Sequence, residues 1–116
     1  MAKDLQVCLL LDYYGAMLTE KQHTLVDLYY NQDFSLSEIA ESEGMTRQGA
    51  RDGIKRAESA LYDLEAKLGI INRAEITAAL TAKIRAAADK ISVLTGDAEI
   101  AKQIKTIKST AKKIEN

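Results

Sequence analysis

Proline and tryptophan are absent from this chain, and glycine occurs only six times in 116 residues. Proline breaks helices and glycine costs about 1 kcal/mol relative to alanine inside them. Their scarcity leaves Ala, Leu, Ile, Lys and Glu to run as long helices, so the predicted fold class is all-α. The single cysteine, Cys8, has no partner for an internal disulfide, and the single histidine, His23, adds only one more soft ligand. No metal cluster and no cofactor are expected from such a set. Cys8 lies in the apolar run Val7 to Leu11 and is expected in the core. That run is far too short to cross a bilayer, and the N-terminus shows no basic segment leading into a longer apolar one with a cleavage site, so a cytoplasmic protein without membrane insertion is expected. His23 has no Ser or Cys placed beside it and no phosphate-binding glycine loop occurs, so an enzyme is not expected.

With 47% hydrophobic and 28% charged residues, the chain has enough apolar surface for one modest core. The net charge is only −1, which does not fit a strongly basic, nonspecific nucleic-acid binder. The charges are unevenly placed, however. Met1 to Thr46 hold 2 Lys+Arg against 8 Asp+Glu, whereas Arg47 to Asn116 hold 14 against 9.

The first helix is expected from about Asp4 to Ala16, with Leu5, Cys8, Leu9, Leu11 and Tyr13 buried by neighbours. Thr19 and Gln22 have capping-box spacing and open a second helix ending near Asn31, with Leu25, Leu28 and Tyr29 on one face. Ser35 and Glu38 repeat that spacing before a short helix, Leu36 to Ser42, whose Leu36, Ile39 and Ala40 face inward. Gly44 then offers a position free for positive φ, and Thr46 an N-cap. Helix, tight glycine turn, helix is the helix-turn-helix pattern.

From Thr46, the positions Ala50, Ile54, Ala57, Leu61, Leu64 and Leu68 form one apolar stripe of a helix reaching about Lys67. Arg47, Arg51 and Lys55 fall on the side away from it, with Gln48 beside them. Thr46 and Gln48 stand at the helix N-terminus, where phosphate is favoured, and Arg47 and Arg51 are placed to reach base edges or backbone. Thr46, Arg47, Gln48, Arg51 and Lys55 are therefore the candidate nucleic-acid-binding residues. Gly49 and Gly53 lie on the flank of the same helix, where another backbone, either a neighbouring helix or a sugar-phosphate strand, can come close. The tyrosines and Phe34 of the first two helices fit core and interface packing better than base stacking.

Gly69 marks a break, and Asn72 with Glu75 is expected to cap a long helix carrying Ile76, Leu80, Ile84, Ala87, Ile91 and Leu94 on one stripe. Gly96 and Asp97 end it and cap a last helix with Ile100, Ile104, Ile107, Ala111 and Ile114 opposite a lysine-rich side of Lys102, Lys105, Lys108, Lys112 and Lys113. Two such helices make an α-hairpin.

The segments LLDYYGAMLTEKQHTLVDLYYNQDFSLSEIAESEGMTRQ and IKRAESALYDLEAKLGI resemble the YlxM-like helix-turn-helix family, small bacterial proteins similar to region four of sigma factors. The resemblance covers about the first 70 residues. It implies an all-α, sigma-region-4-like helix-turn-helix domain with a C-terminal helical extension, and a regulatory role linked to the signal recognition particle. Thr46, Arg47 and Gln48 match the start of the family's recognition helix, and Ile54, Lys55 and Arg56 its middle. Gly49 and Gly53 depart from the larger residues usual there. The expectation is a helix-turn-helix domain at residues 1–71 and a helical arm at 72–116. The expected partners are DNA or signal recognition particle RNA, or alternatively the particle's GTPase Ffh, with the chain as its adaptor and the helix-turn-helix only as scaffold. A homodimer formed through the arm is also expected.

Overall fold

The computed structural model describes residues 2–115. Six α-helices follow one another: α1 Gln6–Tyr14, α2 Glu20–Val26, α3 Leu36–Glu43, α4 Arg47–Leu68, α5 Ile70–Leu94 and α6 Ala98–Glu115. A 3₁₀ turn at Gly15–Met17 follows α1, a π turn at Asp27–Asn31 follows α2, and there is no strand among the described residues. The chain divides into two compact units, Met1–Ile71 and Asn72–Asn116.

Local chemistry sets the starts of the early helices. Thr19 and Gln22 exchange side-chain and backbone hydrogen bonds at 3.2 Å, and Ser35 and Glu38 do the same at 3.1 Å. Both capping boxes satisfy amides that have no partner inside their helices. The π turn was not legible in the sequence. The Asp27 carboxylate accepts from Asn31 Nδ2 and Gln32 Nε2, each at 2.8 Å, and these bonds hold its pKa below the usual carboxylate value. Asp33 then takes a left-handed φ of 58°, a conformation that aspartate tolerates better than most residues, and the chain turns into α3.

The core of the first unit is built on α4. Ala50, Ile54, Ala57 and Leu61 are all fully buried, the spacing expected of one helical stripe. Leu64 is only half-buried and Leu68 is exposed, so the stripe ends before the helix does. The upper part of α4 packs with Leu25, Tyr29, Leu36, Ile39 and Ala40; the lower part packs with α1 and Val26.

The first helix corrects the expectation. Its inward face is Val7, Leu10, Leu11 and Tyr14, whereas Leu5, Leu9 and Tyr13 are exposed and Cys8 is only half-buried. Positions 7, 10, 11 and 14 follow the i, i+3, i+4, i+7 rule, so α1 lies on the surface of the core with one face wet. The expected cap at Asn72 is corrected as well, because α5 already begins at Ile70. Its first amides are taken by side chains from elsewhere in the fold: Ile70 N donates to Tyr14 Oη at 3.1 Å and Ile71 N to Glu65 Oε1 at 3.0 Å.

In the second unit, α5 and α6 form an antiparallel hairpin. Arg85 Nη2 lies 2.9 Å from Glu115 Oε1, Lys108 Nζ lies 2.7 Å from Asp89 Oδ1, and Thr81 donates to Glu115. Asp97 caps α6 as expected, accepting from Glu99 N and Ile100 N. The stripe on α5 does not face α6. Thr81 and Ala88 are buried there instead, while Ile76, Leu80, Ile84, Ala87, Ile91 and Leu94 are exposed. The small Ala88 and Ala111 permit close approach of the two helices, and the Thr81 and Arg85 pairing with Glu115 fixes that face inward.

Candidate nucleic-acid interface

The helix-turn-helix consists of α3, the turn at Gly44 and α4. Gly44 adopts φ 63°, and Met45 N donates to Ala40 O at 2.9 Å; this left-handed closure is the one that glycine permits without strain. Thr46 is extended and its hydroxyl accepts from Gly49 N at 2.9 Å. Fully buried Ile39, Ala50 and Ile54 lock the two helices together, so the outer face of α4 is carried on a rigid support.

All five candidate residues are exposed, but they are not equivalent. Arg47, Gln48 and Arg51 line, with Leu36 at the start of α3, a groove of about 460 Å³. Lys55 stands one helical turn further along α4, outside that groove, and the Thr46 oxygen is occupied by the cap. Gln48 is also engaged: its Nε2 donates to Asp52 Oδ1 at 3.0 Å. That contact is an i, i+4 pair and its spacing was visible in the sequence. Arg47, Arg51 and Lys55 have no ion-pair partner among the described residues. Their charges are therefore available to an external anion.

The other flank of α4 carries the two glycines. There a second groove of about 250 Å³ is lined by Thr19, Lys21, Leu25, Gly49, Gly53 and Arg56, among others. A Cβ placed on Gly53 would lie 2.6 Å from Leu25 Cδ1, so this glycine lets the buried Leu25 of α2 approach α4. A Cβ on Gly49 would lie 3.0 Å from Thr46 Oγ1 and 3.6 Å from Met45 Cε. The close approach that the sequence left open between an internal helix and an external strand is, at Gly53, internal. Arg56, which the resemblance puts in the middle of the recognition helix, sits on this flank and donates from Nε to Asp52 O at 3.4 Å.

The electrostatic setting is uneven. Residues of the first unit include 7 Lys+Arg against 12 Asp+Glu, and those of the second 9 against 5. Cations on α4 thus work from an acidic unit. Among the described residues, no group of three or more His, Cys, Asp or Glu is placed to hold a metal, and no helix is long and apolar enough to cross a membrane.

Two capped helices joined through a left-handed glycine, with the second helix presenting unpaired arginines, define a helix-turn-helix protein. The chain belongs to the UPF0122 family, described as "Putative helix-turn-helix protein, YlxM / p13 like", whose profile matches residues 1–115. This is the family that the residues of the first 70 positions resemble. UPF0122 proteins of Desulforamulus reducens and Acetivibrio thermocellus are 48% and 47% identical over 68 and 73 residues, or 59% and 63% of this chain. The chain spans 58% and 62% of the length of those two relatives. A UPF0122 protein of a Thermoanaerobacter species is 41% identical over 107 residues, covering 92% of this chain and 89% of the relative.

Proposed function

We propose that the chain binds nucleic acid through the outer face of α4, with residues 1–71 as the binding domain and residues 72–116 as an arm. The observation that carries this is the groove of Leu36, Arg47, Gln48 and Arg51 at the paired N-termini of α3 and α4, with both arginines unpaired. Helix N-termini favour phosphate, and arginine reads guanine edges in the major groove. Duplex DNA fits better than duplex RNA, because the deep, narrow major groove of A-form RNA does not admit a helix. The test is affinity for duplex DNA against salt. Arg51→Ala should flatten the log-log slope by about 0.9 if it removes one phosphate contact; an unchanged slope argues against this face.

One observation favours a second reading. The helix-turn-helix unit is acidic overall, which suits an adaptor using the motif as scaffold for a protein partner such as the signal recognition particle GTPase Ffh, and repels a polyanion at long range. Pull-down with and without nuclease separates the two: capture that survives nuclease and the Arg51→Ala change supports the adaptor.

We further infer that the arm associates with a second copy of the chain. Ile76, Leu80, Ile84 and Ile91 of α5 and Ile100, Ile107 and Ile114 of α6 are each between 39% and 58% exposed. At 100° per residue, both rows fall on one side of the hairpin, opposite the side that carries Lys105, Lys108 and Lys112. Two copies can therefore join these faces without apposing their lysines, and a two-fold pairing makes the same patch serve both partners. Half-burying seven such side chains per copy recovers on the order of 7 kcal/mol, comparable with the cost of association. Light scattering should show a dimer that Leu80→Lys dissociates; a monomeric parent at high concentration contradicts it.

A further inference from the structure

The side of the hairpin opposite the apolar rows holds an open groove of about 440 Å³. Its walls are Arg85 of α5 and Lys105, Lys108, Ser109 and Lys112 of α6, over a floor of Ala101 and Ile104. Arg85 reaches Glu115 through Nη2, yet its Nε is buried without a hydrogen-bond partner. Lys108 is tied to Asp89 at one edge, whereas Lys105 and Lys112 have no ion-pair partner among the described residues. The groove therefore offers two free ammonium groups, one serine hydroxyl and the partly exposed, Glu115-paired Arg85 side chain to the same ligand.

Anions suit such a set, and its shape selects among them. From Lys105 to Lys112 the helix advances about 10 Å at 1.5 Å per residue. Successive phosphates of one strand stand further apart than their axial rise of about 3.4 Å, so the two lysines are placed to meet two different phosphates of that strand. The charge balance adds a second reason: residues 72–116 hold 9 Lys+Arg against 5 Asp+Glu, while the helix-turn-helix unit holds 7 against 12. Long-range attraction of a polyanion has to come from the arm.

We propose that this groove of the hairpin is a second nucleic-acid site, gripping a sugar-phosphate strand through Arg85, Lys105, Ser109 and Lys112. It rests on the reading of the chain as a nucleic-acid binder and adds that the arm, more than α4, supplies the electrostatic part of binding.

The test compares the full-length parent with two double variants, Lys105→Gln/Lys112→Gln in the arm and Arg47→Ala/Arg51→Ala in α4. Each is titrated with a labelled 20-base-pair DNA duplex over a range of salt, with circular dichroism to confirm folding. All the changed side chains are exposed and lie outside the core. The arm variant should bind more weakly at low salt and show a slope shallower by about 1.8, two phosphates at about 0.9 each. An arm variant matching the parent overturns the inference; if the α4 variant is then the one that loses affinity, the proposed function survives it. The reverse pattern supports the groove and removes α4 as the binding face. No binding by the parent at low salt overturns the inference, as does an arm variant that loses only binding to anionic lipid vesicles.

Discussion

Tyr14 donates its hydroxyl proton to Glu65, and the two side chains together accept the first amides of α5, Tyr14 from Ile70 at 3.1 Å and Glu65 from Ile71 at 3.0 Å. Tyr14 is fully buried and comes from α1, so the start of α5 is capped by a residue more than fifty positions earlier in the chain. This joins three elements of the first unit at one point. Removing the hydroxyl strands a backbone donor and a carboxylate hydrogen bond together. Tyr14→Phe should cost about 1–3 kcal/mol and speed hydrogen exchange at Ile70. Denaturant melts and exchange rates equal to those of the parent would contradict the capping role.

The two glycines of α4 should part company on substitution. Gly53→Ala gains about 1 kcal/mol of helix propensity but drives a methyl group to 2.6 Å from Leu25 Cδ1, inside a core where overpacking costs about 1–3 kcal/mol. A net loss of up to about 2 kcal/mol is expected. Gly49→Ala meets only the Thr46 hydroxyl at 3.0 Å and the end of the flexible Met45, so it should be neutral or raise stability by less than about 1 kcal/mol. Thermal melts of the single variants decide this; equal effects in either direction would show that Leu25 does not explain Gly53.

These two cases show what was legible in the sequence. The caps at Thr19, Ser35, Thr46 and Asp97, the left-handed turn at Gly44 and the buried row from Ala50 to Leu61 were readable, because each depends on residues within a few positions of one another. The exposed arginines of α4 were readable for the same reason. The Tyr14 cap was not, since it arises only when α1 and α4 meet, and it displaced the local signal at Asn72. Which side of α1 and of α5 turns inward was likewise decided by partners: Leu5, Leu9 and Tyr13 fit a helix pattern as well as Val7 and Leu10 do until a neighbour selects one face. At the candidate site, the groove that gathers Arg47, Gln48 and Arg51 around Leu36 depends on how α3 crosses α4, and the sequence could not separate them from Lys55.

Three tyrosines predict an alkaline response. Burial, followed by the bond to Glu65, raises the pKa of Tyr14; burial is also the first cause at Tyr30; and the hydrogen bond to Asp4, with burial second, pushes Tyr62 up to about 12. In each case the folded state favours the neutral phenol. Their stabilising contribution is thus complete below the unfolded value of about 10 and is lost as pH rises through the folded values, reaching about 12 at Tyr62. Phenolate absorbance should appear later in the native chain than in denaturant, and stability should fall above about pH 10. Coincident native and denatured titrations would contradict these environments.

Whether α4 presents the nucleic-acid-binding face can be read from amide chemical shifts of the isotope-labelled full-length chain titrated with a short DNA duplex at low salt. The largest changes are expected in the first unit over the turn and the start of α4, from Gly44 through Lys55, with Leu36 among them and the buried face at Ala57 and Leu61 little affected. Shifts that leave Arg47, Gln48 and Arg51 unmoved while the duplex is bound, or no shifts at any concentration reached, would contradict that role of α4.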